Sequence, residues 1–401
     1  MTFLLIIRKV KYTVGRQDIQ AMILLQTYLL RGKKMKWAGE KVRDLAKAQG
    51  FSIASLAESI GVSRKAVNDW TRGQIPKGNH LMALARLLNI NPEELFNIGE
   101  KFDISIPVHR TRGNAKVTED RSQEAFNLAK DYYSFFLNDS ALPVVPVIRE
   151  TDKSDENARN IARILRKMTS VQNGEPLKKK HVFSLLKDLG IKIVIKKFPE
   201  SLKVYAFYTR ILAHRVVFVN RDTNFLDLNF ALLHEAVHAV RDETFKGRLY
   251  DKKEEDFCDL VANYVQFPDE YVQFVANNIS DLRVGQAINI LKSFAEKNGH
   301  ALHGIVKRIY NQFPSKEPIN PHGADTNLKK EFYSIGDYLM AFENAEEYVT
   351  YLKEISPLFL ESLVKQVENL TYRRLGELLD IESSLDAADL KDEFLKLRKE
   401  M

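Results

Sequence analysis

The sequence is short of three things, and each absence narrows the reading. It has one cysteine, Cys258, so no internal disulfide can form. That excludes a disulfide-stapled secreted scaffold and fits a reducing compartment, with the cytoplasm as the expected location. It has no long apolar run: "FLLII" at 3–7 and "AMILLQTYLL" at 21–30 are too short and too interrupted to span a bilayer. Neither is followed by a small-residue cleavage site, so no signal peptide and no membrane association are expected. Acidic charge is scarce at the start, where residues 1–50 carry 11 Lys/Arg against 3 Asp/Glu. The whole chain is +7, so the other 351 residues sum to −1. A basic end favours nucleic acid or an acidic surface through long-range attraction, although a solvated basic leader has the same composition.

What is present is a globular protein. A hydrophobic fraction of 45% over 401 residues supports two or three domains with real cores. Residues 1–34 read as a basic leader, an extension rather than a structural element, ahead of a helical beginning at Met35. In 41–96, helical periodicity is broken by Gly, Ser, Asn and Pro. Ser52 caps a helix over 53–60, Gly61 makes a tight turn, and Ser63 caps a second helix over 64–71. That is a helix-turn-helix spacing. Leu81, Leu84, Leu87 and Leu88 close the core, and Pro92 sits in the first turn of an expected last helix.

The stretch "LAESIGVSRKAVNDWTRGQIPKGNHLMALARLLNI" resembles the Xre (phage-repressor-like) helix-turn-helix family. The resemblance implies an all-α DNA-binding domain at 35–100 whose second motif helix enters the major groove of double-stranded DNA, with a dimer expected on it. Arg64, Lys65, Asn68 and Arg72 would then lie at the DNA surface. Two positions depart from the family pattern, Ile53 and Thr71. Arg64, Lys65, Arg72 and Lys77 against Asp69 alone is a charge balance suited to phosphates. The same helices could instead serve protein docking.

Residues 101–154 read as a polar linker and a connecting aromatic helix. From 155 the expected order is helix, helix, strands and a helix holding "FALLHEAVHAV". His234 and His238 are four apart and share one helix face; Glu235 lies on an adjoining face. A later helix, "KKEEDFCDLVANYVQFP", offers Glu255 as a third ligand and Asp259 as the acceptor for a ligating imidazole. Glu254 shares the packed stripe less well. Two imidazoles and a carboxylate suit one Zn²⁺ per chain better than magnesium or calcium, and leave a position open for water. The simpler reading of the pair is two satisfied core histidines.

Together, "DENARNIARILRKM", "LLKDLGIKIVI", "RVVFVNRDTNFLDLNFALLHEAVHAV" and "EEDFCDLVANYVQFP" resemble the ImmA/IrrE family of zinc metallopeptidases over about 155–268. The resemblance implies a gluzincin-like peptidase domain, placed at 155–275, that cleaves a repressor or antitoxin-like regulatory protein. Glu235 would be the catalytic base, with His234, His238 and Glu255 on the metal and Asp259 behind them. Cys258 and Asn263 depart from the family, which prefers Ala and a small apolar residue there. The strand "RVVFVN" is expected to offer its edge to an extended substrate; an oxyanion donor among Tyr205, Tyr208, His214 and Arg215 is left open. Residues 276–401 read as a helical packing region. The fold class is therefore multidomain and mainly α, with an α+β metallopeptidase domain built on a small mixed sheet. Two functions compete: a DNA-binding zinc metalloendopeptidase, or a non-catalytic helix-turn-helix transcriptional regulator or antitoxin that keeps the peptidase-like fold for interaction alone.

Overall fold

A computed structural model describes residues 35–37, 39–48, 51–88, 95–98, 103–105, 119–140, 146–241, 252–314 and 318–400. The chain divides into two compact units, Met1–Lys101 and Phe102–Met401. The leader 1–34 and the expected helix start at Pro92 lie outside the described residues.

In the first unit a short strand, β1 (Met35–Trp37), precedes helices α1 (Gly39–Ala48), α2 (Ile53–Ile60), α3 (Arg64–Thr71) and α4 (Gly78–Leu87). The helix ends are set by local chemistry. Ser52 and Ser63 accept the Ser55 and Ala66 amides, and Gly61 takes φ 74°, a left-handed turn that costs a glycine nothing. Val42, Leu56, Val67, Trp70, Leu84 and Leu88 pack the centre. This unit is not all-α as expected. Residues Phe96–Ile98 form β2, antiparallel to β1, with Trp37 opposite Phe96. The pairing couples segments some sixty positions apart, which helical periodicity does not reveal. Trp37 also donates its Nε1–H to the Trp70 carbonyl at 2.7 Å, fastening the strand to the end of α3.

The second unit opens with β3 (Ile104–Ser105), α5 (Glu119–Asp131) and α6 (Tyr133–Leu137). Then come α7 (Asp155–Lys167), α8 (Lys179–Asp188), β4 (Ile191–Lys196), β5 (Ala206–Ile211), β6 (His214–Asn220), α9 (Phe225–Arg241) and α10 (Lys252–Gln266). The sheet order is β3-β5-β6-β4, with β4 parallel to β6 and the other neighbours antiparallel. It is the small mixed sheet expected, but β6 lies inside it. "RVVFVN" is hydrogen-bonded on both sides and has no edge to offer a peptide. The open side of β4 is also engaged: the Ile193 amide bonds to Ser356 Oγ at 2.8 Å and the Lys197 amide to Asp380 Oδ2 at 2.9 Å. Among the described residues, β3 pairs with Arg210 and Ile211 of β5.

Among the described residues, nine α-helices follow α10. α11 (Asp269–Ile279), α12 (Val284–Asn298), α13 (Leu302–Gln312) and α14 (His322–Lys329) build a small core of their own around Phe267, Val272, Leu291 and Ile305. α15 (Ile335–Met340), α16 (Ala345–Ile355), α17 (Pro357–Gln366), α18 (Tyr372–Leu379) and α19 (Ser384–Glu400) return to the sheet. Phe359, Leu363, Leu375 and Phe394 share one core with Phe136, Phe218 and Val237. The late helices thus complete the core of the sheet, and Phe102–Met401 forms one compact unit. The 101–154 segment is likewise not only a linker: Tyr132, Phe135 and Phe136 are buried in that core. Among the described residues no helix is long and apolar enough to cross a membrane.

Candidate metal centre and DNA-binding face

α9 is buried along almost its whole length from Leu226 to Arg241, so its polar side chains must be met inside the protein. His234 and His238, one turn apart, bring their rings to 4.8 Å between centroids and their Nε2 atoms to 3.1 Å. α10 packs against α9 and lays Glu255 across both: Oε2 is 3.3 Å from His234 Nε2, and Oε1 is 3.2 Å from His238 Nε2. All three are buried, and among the described residues Glu255 Oε2 has no hydrogen-bond partner. Burial would push the Glu255 carboxyl up, but the two imidazoles outweigh it and hold it well below the usual carboxylate range.

Asp259, one turn after Glu255, takes His234 Nδ1 at 3.0 Å. That bond makes Nδ1 the protonated nitrogen and turns the Nε2 lone pair toward Glu255. The donor set fits a zinc ion: ligands about 2.0–2.1 Å from a tetrahedral centre sit roughly 3.3–3.4 Å from one another, close to the spacings among Glu255 and the two imidazoles.

The neighbouring carboxylates are put to different uses. Glu254 turns away from the imidazoles to Arg241, whose Nε is 2.8 Å from Oε1, and to Lys153 at 3.1 Å. Glu235 is buried and accepts the Tyr208 amide of β5 at 2.7 Å. Burial raises its carboxyl against the lowering effect of His234, His238 and that amide, which leaves it better able to hold a proton. Sequence reasoning missed the Tyr208 amide and the Arg241–Glu254 pair, since both depend on which strand and which helix meet α9. It also missed the contact of Cys258 Sγ with His238 Nδ1 at 3.7 Å. Of the four oxyanion candidates, His214 is spent on Lys192 and Arg215 on the Leu189 carbonyl, and the Tyr208 side chain is fully buried.

In the first unit, Arg64, Lys65, Arg72 and Lys77 are exposed and Asn68 is half-buried. At about 100° per residue, positions 64, 65, 68 and 72 fall within one arc of α3, while Val67 and Trp70 point into the core. The outward face of the second motif helix is thus basic, and Lys77 adds a cation at the start of α4.

The search of curated proteins returns no match. Among solved structures, the crystal structure of ComR from Streptococcus suis is similar at 10% identity, over 90% of this chain and 94% of that one. Its TM-score of 0.14 is too low to bear on the fold. The helix-turn-helix family profile matches residues 42–95, the segment that holds α2, α3 and the basic face. Residues 42–95 are a helix-turn-helix domain, of the DNA-binding kind found in transcription regulators.

Proposed function

We propose that the protein is a DNA-binding zinc metalloendopeptidase that cleaves a repressor or antitoxin-like regulatory protein. The observation that carries the reading is the convergence of His234, His238 and Glu255 on one buried point, with Glu235 beside it. His234, His238 and Glu255 hold the ion, and Asp259 keeps His234 in the tautomer that can ligate. Zinc held there supplies Lewis acidity, acidifying water and polarising a carbonyl. Glu235 takes the proton of the attacking water and returns it to the nitrogen of the leaving amine, work of about 10² to 10⁴ in rate. The helix-turn-helix domain brings the peptidase to regulators seated on DNA.

A second reading has one observation in its favour: the Tyr208 amide holds the Glu235 carboxylate, as in a centre that binds metal only to stiffen the fold. A library of extended peptides, incubated with zinc-loaded full-length protein and read by mass spectrometry, separates the two. Cleavage by the native protein, abolished in Glu235→Gln with zinc retained, is the expected result. Retained zinc with no cleavage by either protein, or equal cleavage by both, overturns the enzyme reading.

A further inference from the structure

We propose that Cys258 is a positioning residue of the metal centre, holding His238 by its Nδ1 while Glu254 holds the thiol. This rests on the metal-site reading above and assigns a role at one of the two positions where the chain departs from the resembled family. The two imidazoles are supported differently. His234 gives its Nδ1–H to the Asp259 carboxylate at 3.0 Å. Among the described residues, His238 Nδ1 has only Cys258 Sγ, at 3.7 Å.

The direction of the bonds follows from what lies behind the thiol. Cys258 Sγ is 3.7 Å from Glu254 Oε1. That carboxylate is fixed by Arg241 Nε at 2.8 Å and Nη2 at 3.3 Å and by Lys153 Nζ at 3.1 Å. Arg241 is anchored in turn on the Glu150 carbonyl at 2.7 Å. A carboxylate paired with two cations only accepts, so the S–H donates to Glu254 and a sulfur lone pair takes the Nδ1–H of His238. The His238 Nε2 lone pair is then free to face His234 and Glu255.

The arrangement is a pair of parallel ladders on α10. Glu255 and Asp259 are four apart and serve the metal point and His234; Glu254 and Cys258 are four apart and serve His238. All four side chains are buried, so water does not replace a lost partner. An alanine at 258 fills the space of the Cβ and leaves Nδ1 unpaired; a serine keeps both a donor and an acceptor.

The test is the zinc dissociation constant of the full-length protein, by competition with a chromophoric chelator, together with the ligand-field spectrum of the cobalt(II)-substituted protein. Circular dichroism checks that each variant is folded. Cys258→Ala is expected to weaken zinc about tenfold, the lower end for loss of a ligand's supporting partner, and to alter the cobalt bands. Cys258→Ser is expected to restore both. An alanine variant with native affinity and native cobalt bands overturns the proposal, as does a serine variant that fails as badly as the alanine. Native protein that binds no zinc overturns the metal-site reading itself.

Discussion

Removing the cations of the α3 face tests how this protein meets DNA. Arg64, Lys65, Arg72 and Lys77 are exposed. Each phosphate neutralised adds about 0.9 to the slope of log affinity against log salt. Raising salt fourfold, from about 50 to 200 mM, should therefore cost roughly 3.5-fold per contact and roughly 150-fold for four per bound domain. The assay is fluorescence anisotropy of full-length protein on a duplex of scrambled sequence and on a preferred duplex, titrated across that range. Lys77→Ala should lower the slope by about 0.9 on both duplexes. Asn68→Ala removes no charge and should leave the slope intact, while weakening the preferred duplex by about 1–3 kcal/mol, the worth of a bidentate base contact. Arg64→Ala should do some of each. A slope untouched by the quadruple alanine variant would refute this face as the site of phosphate contact.

Two further outcomes concern stability. His300 is fully buried against the Tyr271 hydroxyl at 2.9 Å, and burial holds its imidazole down to about 4. The unfolded chain takes up that proton near pH 6.5 and the folded one does not. Stability from this group is therefore full above pH 6.5 and is lost as pH falls toward 4, about 3 kcal/mol in all. In urea unfolding, His300→Gln should lose that much pH dependence between 6.5 and 4; an unchanged profile would contradict it. At Gly39 an added Cβ would overlap the Trp70 carbonyl oxygen. Gly39→Ala should destabilise the first unit by about 1–3 kcal/mol. Trp37 and Trp70 are the chain's two tryptophans, so their fluorescence reports that unit alone, and unshifted unfolding would count against the packing described.

Legibility in the sequence followed the range of the interactions. Ser52, Gly61 and Ser63 fix the ends of α2 and α3 through bonds of three or four residues, and those ends were readable to the residue. The four-residue spacing of His234 and His238, and the roughly 100° step that separates Glu255 from Glu254, are also local; the structure sets Glu255 against the imidazoles and Glu254 against Arg241. Strand order is not local. Nothing in "RVVFVN" says that β4 and β5 flank it, and nothing in "NPEELFNI" says that Phe96–Ile98 pairs with Met35–Trp37. At Cys258 the sequence shows only a departure from the alanine the resembled family prefers, and it is the packing of α9 on α10 that sets His238 against the sulfur. The late helices were readable as helices, but their return to β4 through Ser356 and Asp380 rests on contacts 163 and 183 residues apart in sequence.

The central claim is that His234, His238 and Glu255 together hold one zinc ion, and metal analysis of the purified chain after dialysis against a mild chelator tests it most directly. About one zinc per chain in the native protein, lost in Glu255→Gln and kept in Glu254→Gln, is the predicted result. No zinc in the native protein, or zinc undiminished by Glu255→Gln, would contradict it.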